Sequence, residues 1–341
     1  TLGADDMSAT GQTEVGRMLQ SLAPSFNFSS SSISDGTDAL RPATLRGLGP
    51  DQTLVLVNGK RRHQAALIHI NNSVGRGTAG TDMNAIPAAA ISRVEVLRDG
   101  AAAQYGSDAI AGVINLQLKD GSEGGSLGMS VGEYTEGDGQ TTNIDMHKGF
   151  SLGSDGFLAV TLNYRDRERT SRANPQGGCL YGGCVDTDDN GFLEPAPGNE
   201  TREVTGPGRN GFRIGDADST QFAVVVNAGL ALGTGELYSF ITYSGREGQS
   251  GAFYRNPAGS GAELDDGENV VVDGFLPHIN SEIDDLSFNF GYTTEFDDGS
   301  AIDISYTNGR NSIDYTTSNS ANYSFANELN FGRGLSDADI R

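Results

Sequence analysis

The 341-residue chain carries 23 Lys and Arg against 45 Asp and Glu, a formal net charge of -22 that repels phosphates and excludes a nucleic-acid partner. No run of 18 apolar residues occurs, so no helical membrane span is present, and the first residues lack the basic-then-apolar pattern of a secretory signal. The N-terminus therefore reads as mature, trimmed or incomplete. Charge and aromatics divide the chain. Residues 1–120 hold 10 basic and 11 acidic residues, whereas residues 121–341 hold 13 and 34. Of the 26 Phe and Tyr, 23 lie in the second part, the exceptions being Phe26, Phe28 and Tyr105. The acidic excess suits extracellular loops that meet divalent cations.

In chain order, Val15, Met18, Leu19 and Leu22 fall on one helical face within residues 13–23, and Pro24 stops the pattern, which predicts a short amphipathic helix. After the Ser-rich stretch 29–34, Thr53-Leu54-Val55-Leu56-Val57 is a short continuous apolar run. It reads as a strand buried on both faces, ended by the turn residues Asn58-Gly59. A polar loop covers 61–82. Pro87 starts a helical turn within 86–91, the strand Val94–Leu97 follows, and Arg98-Asp99-Gly100 forms a turn. Residues 101–105 are expected to be helical and Gly112–Leu118 to be another strand.

The segments LRGLGPDQTLVLVNGKR (45–61) and AIPAAAISRVEVLRDGAAAQYGSDAIAGVINLQLK (85–119) resemble the plug domain of TonB-dependent outer-membrane receptors, in the right order and over about a third of the chain. The resemblance implies a mainly β protein. A small α+β plug domain (1–120) precedes the first antiparallel strands of a large transmembrane β-barrel (121–341) in the bacterial outer membrane. It further implies energy-coupled import of a scarce ligand, such as a siderophore-type iron chelate, cobalamin, saccharide or peptide. The inner-membrane TonB complex would be a partner, with lipid and lipopolysaccharide around the wall. Residues 1–10 offer no recognisable TonB-contact segment.

The second part can be tested by parity. Leu158, Val160, Leu162 and Tyr164 alternate with Ala159, Thr161 and Asn163; Phe222, Val224, Val226, Ala228, Leu230 and Leu232 form a longer row. Leu286, Phe288, Phe290 and Tyr292 alternate with Ser287, Asn289, Gly291 and Thr293, and Ile302, Ile304 and Tyr306 with Asp303, Ser305 and Thr307. Such alternation fits a barrel with one face in lipid and equally a soluble sandwich; strands longer than the usual five or six residues favour the barrel. Aromatics concentrated in this part suit the two interfaces of a membrane wall. Short turns at 153–156, 233–235 and 297–299 alternate with long loops near 170–217 and 248–280, the layout of outer-membrane barrels. About seven or eight strands are legible, the last near 321–331. Plugged transporters use about 22, so the chain reads as part of a longer wall.

Several residues are candidates for specific roles. By resemblance, the apex of the plug places Arg61, Arg62, His63, Gln64, His69, Asn71, Asn72 and Arg76 toward the imported ligand, against the plainer role of polar plug surface packed on the wall. Arg46, Glu95 and Arg98 flank buried strands, and charges enclosed in a barrel need partners, so they are expected to pair with one another or with the wall. Asp186, Asp188, Asn190, Phe192 (through its carbonyl) and Glu194 follow the first half of a calcium loop, but Pro197 stands where its bidentate Glu would fall. A structural Ca2+ and a solvated acidic tip both fit this pattern, and no other cofactor is called for. Cys179 and Cys184, in a Gly-rich polar stretch, read as a loop-closing disulfide. Gly75-Arg76-Gly77-Thr78-Ala79-Gly80 has the letters of a dinucleotide fingerprint without its strand and helix. No catalytic constellation is present, and the chain does not read as an enzyme. A passive porin would share the strands without needing a plug; a secreted calcium-binding β-protein would share the acidic loops and cysteines.

Overall fold

The computed structural model describes residues 1–70, 73–98, 101–191, 193–198, 200–257 and 273–320. Asn71, Asn72, Phe192 and the eighth strand expected near 321–331 lie outside them.

The N-terminal part begins with β1 (Leu2–Gly3), α1 (Ala4–Ser8) and α2 (Val15–Leu22). Helix α2 buries Val15, Met18 and Leu19, three of the four residues whose spacing predicts it. Strands β2 (Phe26–Phe28) and β3 (Ala43–Leu45) pair with each other. Next come β4 (Thr53–Val57), β5 (Lys60–Arg61), β6 (Ile91–Leu97), α3 (Ala101–Tyr105) and β7 (Gly112–Leu118). Together β1-β6-β7-β4-β5 make one sheet in which β4 runs parallel to β7. Every residue of β4 is buried, as a continuous apolar run requires. The helical turn after Pro87 is a 3-10 turn, Ala88–Ala90, where β-branched and Pro neighbours leave room for one turn and no more.

The second part is a seven-stranded antiparallel sheet, β8 (Gly125–Gly132), β9 (Thr141–Leu152), β10 (Gly156–Arg167), and, after a hairpin β11 (Cys184–Val185) and β12 (Glu194–Pro195) and helix α4 (Glu200–Thr205), β13 (Asp218–Leu232), β14 (Gly235–Gly251), β15 (His278–Glu295) and β16 (Ala301–Ser318). Apart from that insertion each strand pairs with the next in the chain, as in an up-and-down wall. Strand parity assigns the two faces. Phe222, Leu230, Leu286, Phe288, Phe290 and Tyr306 are exposed on the outer face, while Ala223, Val225, Asn227, Ser287 and Asn289 are buried on the inner face. A row of ten residue steps from Phe222 to Leu232 extends about 34 Å along the strand. A tilt of about 40° lowers this to about 26 Å, close to the ~25 Å apolar band of outer-membrane barrels. The next outward row toward the long loops pairs Asp166, Thr220, Glu247, Glu282 and Asp314 in register across five strands. Like charges directly opposite one another are unfavourable in a sheet and are tolerated where water screens them. This row marks the edge of the apolar band.

The plug lies against the inner face. Its core, which includes Leu19, Leu45, Val57, Ile91, Ile114 and Leu116, is completed by Val225 and Phe240 of the wall. A second apolar contact sets Ile283 of β15 against Leu40 and Leu67 of the plug, and most of the remaining inner face is polar.

Two substitutions separate the faces of the wall. In the intact protein, Phe240→Ala should cost about 3–5 kcal/mol by opening a cavity in the shared core. Phe288→Arg, near the middle of the outward band, should cost about 2–4 kcal/mol by exposing a charge to lipid. Urea unfolding of vesicle-inserted protein measures both, and near-zero costs would contradict the assignment of faces.

Candidate functional site

The seam between plug and wall is a ladder of ionic and polar contacts. At the long-loop end Glu14, which precedes α2 and is 4 % exposed, receives Arg17 at 2.6 Å and Arg41 at 3.7 Å from the plug. From β10 of the wall it receives Arg167 at 3.1 Å and Arg165 at 3.4 Å. Asp216, just before β13, takes Arg17 at 2.5 Å and Arg41 at 2.7 Å. Two carboxylates thus hold four guanidinium groups. One step down, Arg246 of β14 meets Asp82 of the plug at 2.8 Å, and Gln221 donates to the Asn84 carbonyl at 2.7 Å. Further down, Asp285 of β15 binds Arg62, accepts from Asn311 at 3.0 Å and meets His63 Nε2 at 2.9 Å; Arg62 also donates to Thr242 at 2.6 Å. At the short-turn end Asn58 reaches Asn227 at 3.2 Å, and Lys60 lies 2.8 Å from Asp303 and over the Tyr238 ring.

Burial alone would push the carboxyls of Glu14 and Asp216 upward, but the surrounding guanidinium groups outweigh it. Glu14 is held well below the usual range, chiefly by Arg167, Arg165 and Arg41. Asp216 is held at about 2 by Arg41, Arg167 and Arg17. Asp38, buried nearby with fewer partners, is pushed up by desolvation.

Several residues expected at the plug apex belong to this seam. Arg62 and His63 face the wall, so they are contacts of Asp285 and not open to a ligand; a charge with this little access to water persists where a counter-charge is supplied. His69 is buried with Nδ1 3.2 Å from the Thr37 hydroxyl. Arg61 turns to Asp108 and the Tyr105 carbonyl within the plug. Gln64 and Arg76 are exposed. The apex is a hairpin, with the Ala65 amide donating to the Gly80 carbonyl, His69 to Thr78 and Gly77 to His69. Gly75 and Gly77 have φ of 76° and 86°, so the fingerprint-like glycines serve a turn. The tip exposes Ile68, Ile70 and Val74.

Among the described residues, the contacts of Arg46 and Glu95 fall within the plug, and Arg98 takes part through its carbonyl. Arg46 donates to the Arg98 carbonyl at 2.6 Å, and Glu95 takes Arg93 at 2.8 Å and Asn115 at 3.0 Å. The described ion pairs to the wall run instead through Glu14, Arg17, Arg41, Lys60, Arg62 and Asp82, with His63 hydrogen-bonded to Asp285. Glu14, Arg41 and Asp82 were missed because they lie in irregular plug segments, and Arg17 and Lys60 because the short elements that carry them do not show which face meets the wall. On the wall, a signal existed: Arg165, Arg167, Arg246 and Asp285 occupy inward-parity positions where a lipid-free polar face is expected.

The long loop between β10 and β13 is a folded lobe. Cys179 and Cys184 form the expected disulfide. Behind it the fully buried Glu203 accepts the Leu180 and Tyr181 amides at 2.9 and 2.7 Å and pairs with Arg209 at 3.1 Å. Tyr181 also reaches Asp273 of the next long loop at 3.2 Å. In the acidic hairpin, Asp186 accepts the amides of Asn190 and Gly191 at 3.1 and 2.9 Å, and Glu194 takes the Thr187 hydroxyl. The carboxylates of Asp186, Asp188 and Glu194 are not gathered at metal-ligand spacing among the described residues.

Breaking one tier while leaving its partner buried should be costly. Asp285→Asn is expected to destabilise the plug by about 3–5 kcal/mol, against less than about 0.5 kcal/mol for the exposed Arg61→Gln, measured by plug-specific thermal unfolding. Because the Asp216 carboxyl is depressed on folding, its contribution is complete above the unfolded value near 4 and is lost as pH falls toward about 2. Plug stability should therefore drop between about pH 5 and 2 and the drop should shrink in Asp216→Asn; equal slopes for the two proteins would contradict this account.

Residues 1–113 match the family model described as the TonB-dependent receptor plug domain. Over 212 residues the chain is 31 % identical to the ferric enterobactin receptor of Pseudomonas aeruginosa, covering 57 % of this chain and 24 % of that protein. It is 33 % identical over 140 residues to a vitamin B12 transporter of Vibrio vulnificus, covering 40 % of this chain and 20 % of the relative. The chain thus spans a quarter or less of these relatives' length. A crystal structure of a mutant of the Pseudomonas aeruginosa ferric enterobactin receptor in complex with enterobactin superposes with a TM-score of 0.54 at 18 % identity, covering 91 % of this chain and 40 % of that one. A family-matched plug, sealed by charge to an outward-greasy antiparallel wall of the same fold, places this chain among the TonB-dependent receptors of the outer membrane.

Proposed function

We propose that the protein to which this chain belongs imports a scarce ligand across the outer membrane with energy delivered by the TonB complex, and that it is not an enzyme. The observation that carries this reading is the charge-matched seam: a plug held in register along the wall by separate ion pairs is a closure that energy must shift. Ligand would meet the apex tip of Gln64, Ile68, Ile70, Val74 and Arg76 beneath the disulfide-closed lobe, and lipid and lipopolysaccharide would surround the outer face. The relatives are named for ferric enterobactin and vitamin B12, so these two compounds are the first to try. A passive porin would have no use for a plug that fills the lumen side of its wall.

The test is uptake of radiolabelled ferric enterobactin and cyanocobalamin by cells expressing the full-length receptor, with and without TonB. Saturable uptake of one compound that disappears without TonB is expected, and Ile68→Asp with Ile70→Asp should weaken its binding at least tenfold. Steady ion conductance through the unenergised protein, with no saturable uptake of either compound, would overturn the proposal.

A further inference from the structure

The lobe between β10 and β13 reaches the N-terminal helix of the plug through one carboxylate. At the base of the lobe the chain runs antiparallel to itself, the Thr170 amide donating to the Asp216 carbonyl at 3.0 Å and the Arg172 amide to the Ile214 carbonyl at 2.7 Å. The Asp216 amide in turn donates to the Thr170 hydroxyl at 2.8 Å. This base leans on the plug, for the Gly215 amide and carbonyl lie 2.9 and 3.0 Å from the Ser32 hydroxyl. Asp216 goes further. Its Oδ1 accepts from Arg41 at 2.7 Å and from the Ser30 hydroxyl at 2.9 Å, while its Oδ2 accepts from Arg17 at 2.5 Å. Arg17 lies in the first turn of α2 and also donates to Glu14, the residue that precedes that helix.

We propose that Asp216 is a positioning residue through which the extracellular lobe clamps α2, so that movement of the lobe base loosens the N-terminal helix of the plug. The proposal rests on the import reading for what would move the lobe; the clamp itself is a matter of charge and access. With Asp216 drawn away, Glu14 alone faces four guanidinium groups, a surplus that a buried site does not tolerate. Relief falls on the cation with a way out. The Arg17 side chain is 25 % exposed, against 2 % for Arg41, 4 % for Arg165 and 11 % for Arg167. Arg17 therefore swings to water and takes its bond to Glu14 with it. Helix α2 has eight residues and no side-chain cap, so it holds together through tertiary contacts and yields first.

Amide hydrogen exchange by mass spectrometry on the full-length receptor in detergent tests the clamp. Asp216→Asn should speed exchange across residues 15–22 at least tenfold, with Thr53–Val57 and Gly112–Leu118 unchanged. Arg17→Gln should do the same, the double variant should add nothing, and Asp216→Glu should restore protection in part. Should Asp216→Asn fail to insert, Ser30→Ala, which removes one neutral bond to the same carboxylate, should give the same pattern at about two- to threefold. Unchanged exchange in 15–22, acceleration spread evenly through the plug, or effects of Asp216→Asn and Arg17→Gln that multiply would each overturn the proposal. Because no transported molecule is used, a receptor that took up neither ferric enterobactin nor cyanocobalamin would leave the clamp standing. One that imported with unaltered exchange in these variants would lose the clamp and keep the transport reading.

Discussion

The structure depends on one constraint: the inner face of the wall is polar, and whatever fills it must satisfy that face group by group. A strand with apolar residues at lipid-facing parity places its remaining residues on the other side, and here these include Arg165, Arg167, Arg246 and Asp285. Such groups left dry and unpaired would cost several kcal/mol each. The plug supplies Glu14 to the two arginines of β10, Asp82 to Arg246, and Arg62 with His63 to Asp285. The wall is cationic in the upper tiers, at Arg165, Arg167 and Arg246, and anionic in the lower ones, at Asp285 and Asp303, so the sign reverses between Arg246 and Asp285. A plug rotated or shifted by one tier would set like charges together, so electrostatics fixes its seating more sharply than apolar contact at Val225 and Phe240 could.

Much of this was legible in the residues. The run from Thr53 to Val57 could only be a strand buried on both faces, and the row from Phe222 to Leu232 only one with a single greasy side; both followed from local pattern. The disulfide followed from two cysteines in a short polar stretch. What the sequence concealed was pairing at a distance. Nothing near Glu14 announces that its partners lie some 150 residues away, and Arg62 looked like apex surface because it sits in a polar run. Its neighbours Arg61 and His63 show the reason: where the two-residue strand β5 ends, Arg61 turns into the plug and the next two residues into the wall, and no pattern records which.

The lobe above the plug illustrates a related limit. Its acidic hairpin has oxygen-bearing residues at alternate positions, which is the spacing of a calcium loop. The Asp186 carboxylate accepts the amides of Asn190 and Gly191, so these letters close a turn besides supplying oxygens. A short motif specifies which atoms are available. Which of them converge depends on the backbone path, and here a positive φ at Asp189 and at Gly191 bends that path into a tight turn.

A seam of ion pairs has a further physical property that bears on the proposed import. Buried salt bridges add little net stability compared with apolar packing of the same shape, since their attraction is offset by lost hydration, yet they penalise misplacement heavily. An interface built this way is specific in the closed state and loses less on hydration than a hydrophobic core of equal area, because each charge that parts from its partner regains water. The greasy contacts are two small clusters, Val225 and Phe240 midway down the wall and Ile283 with Ile313 against Leu40 and Leu67 beside the Arg246 tier, with charged tiers around them. A plug seated in this manner stays shut by register and can be displaced stepwise, each tier exchanging a counter-charge for solvent before the next is reached. That is the mechanical behaviour the proposed import asks of a closure: to hold against leakage and still move when pulled.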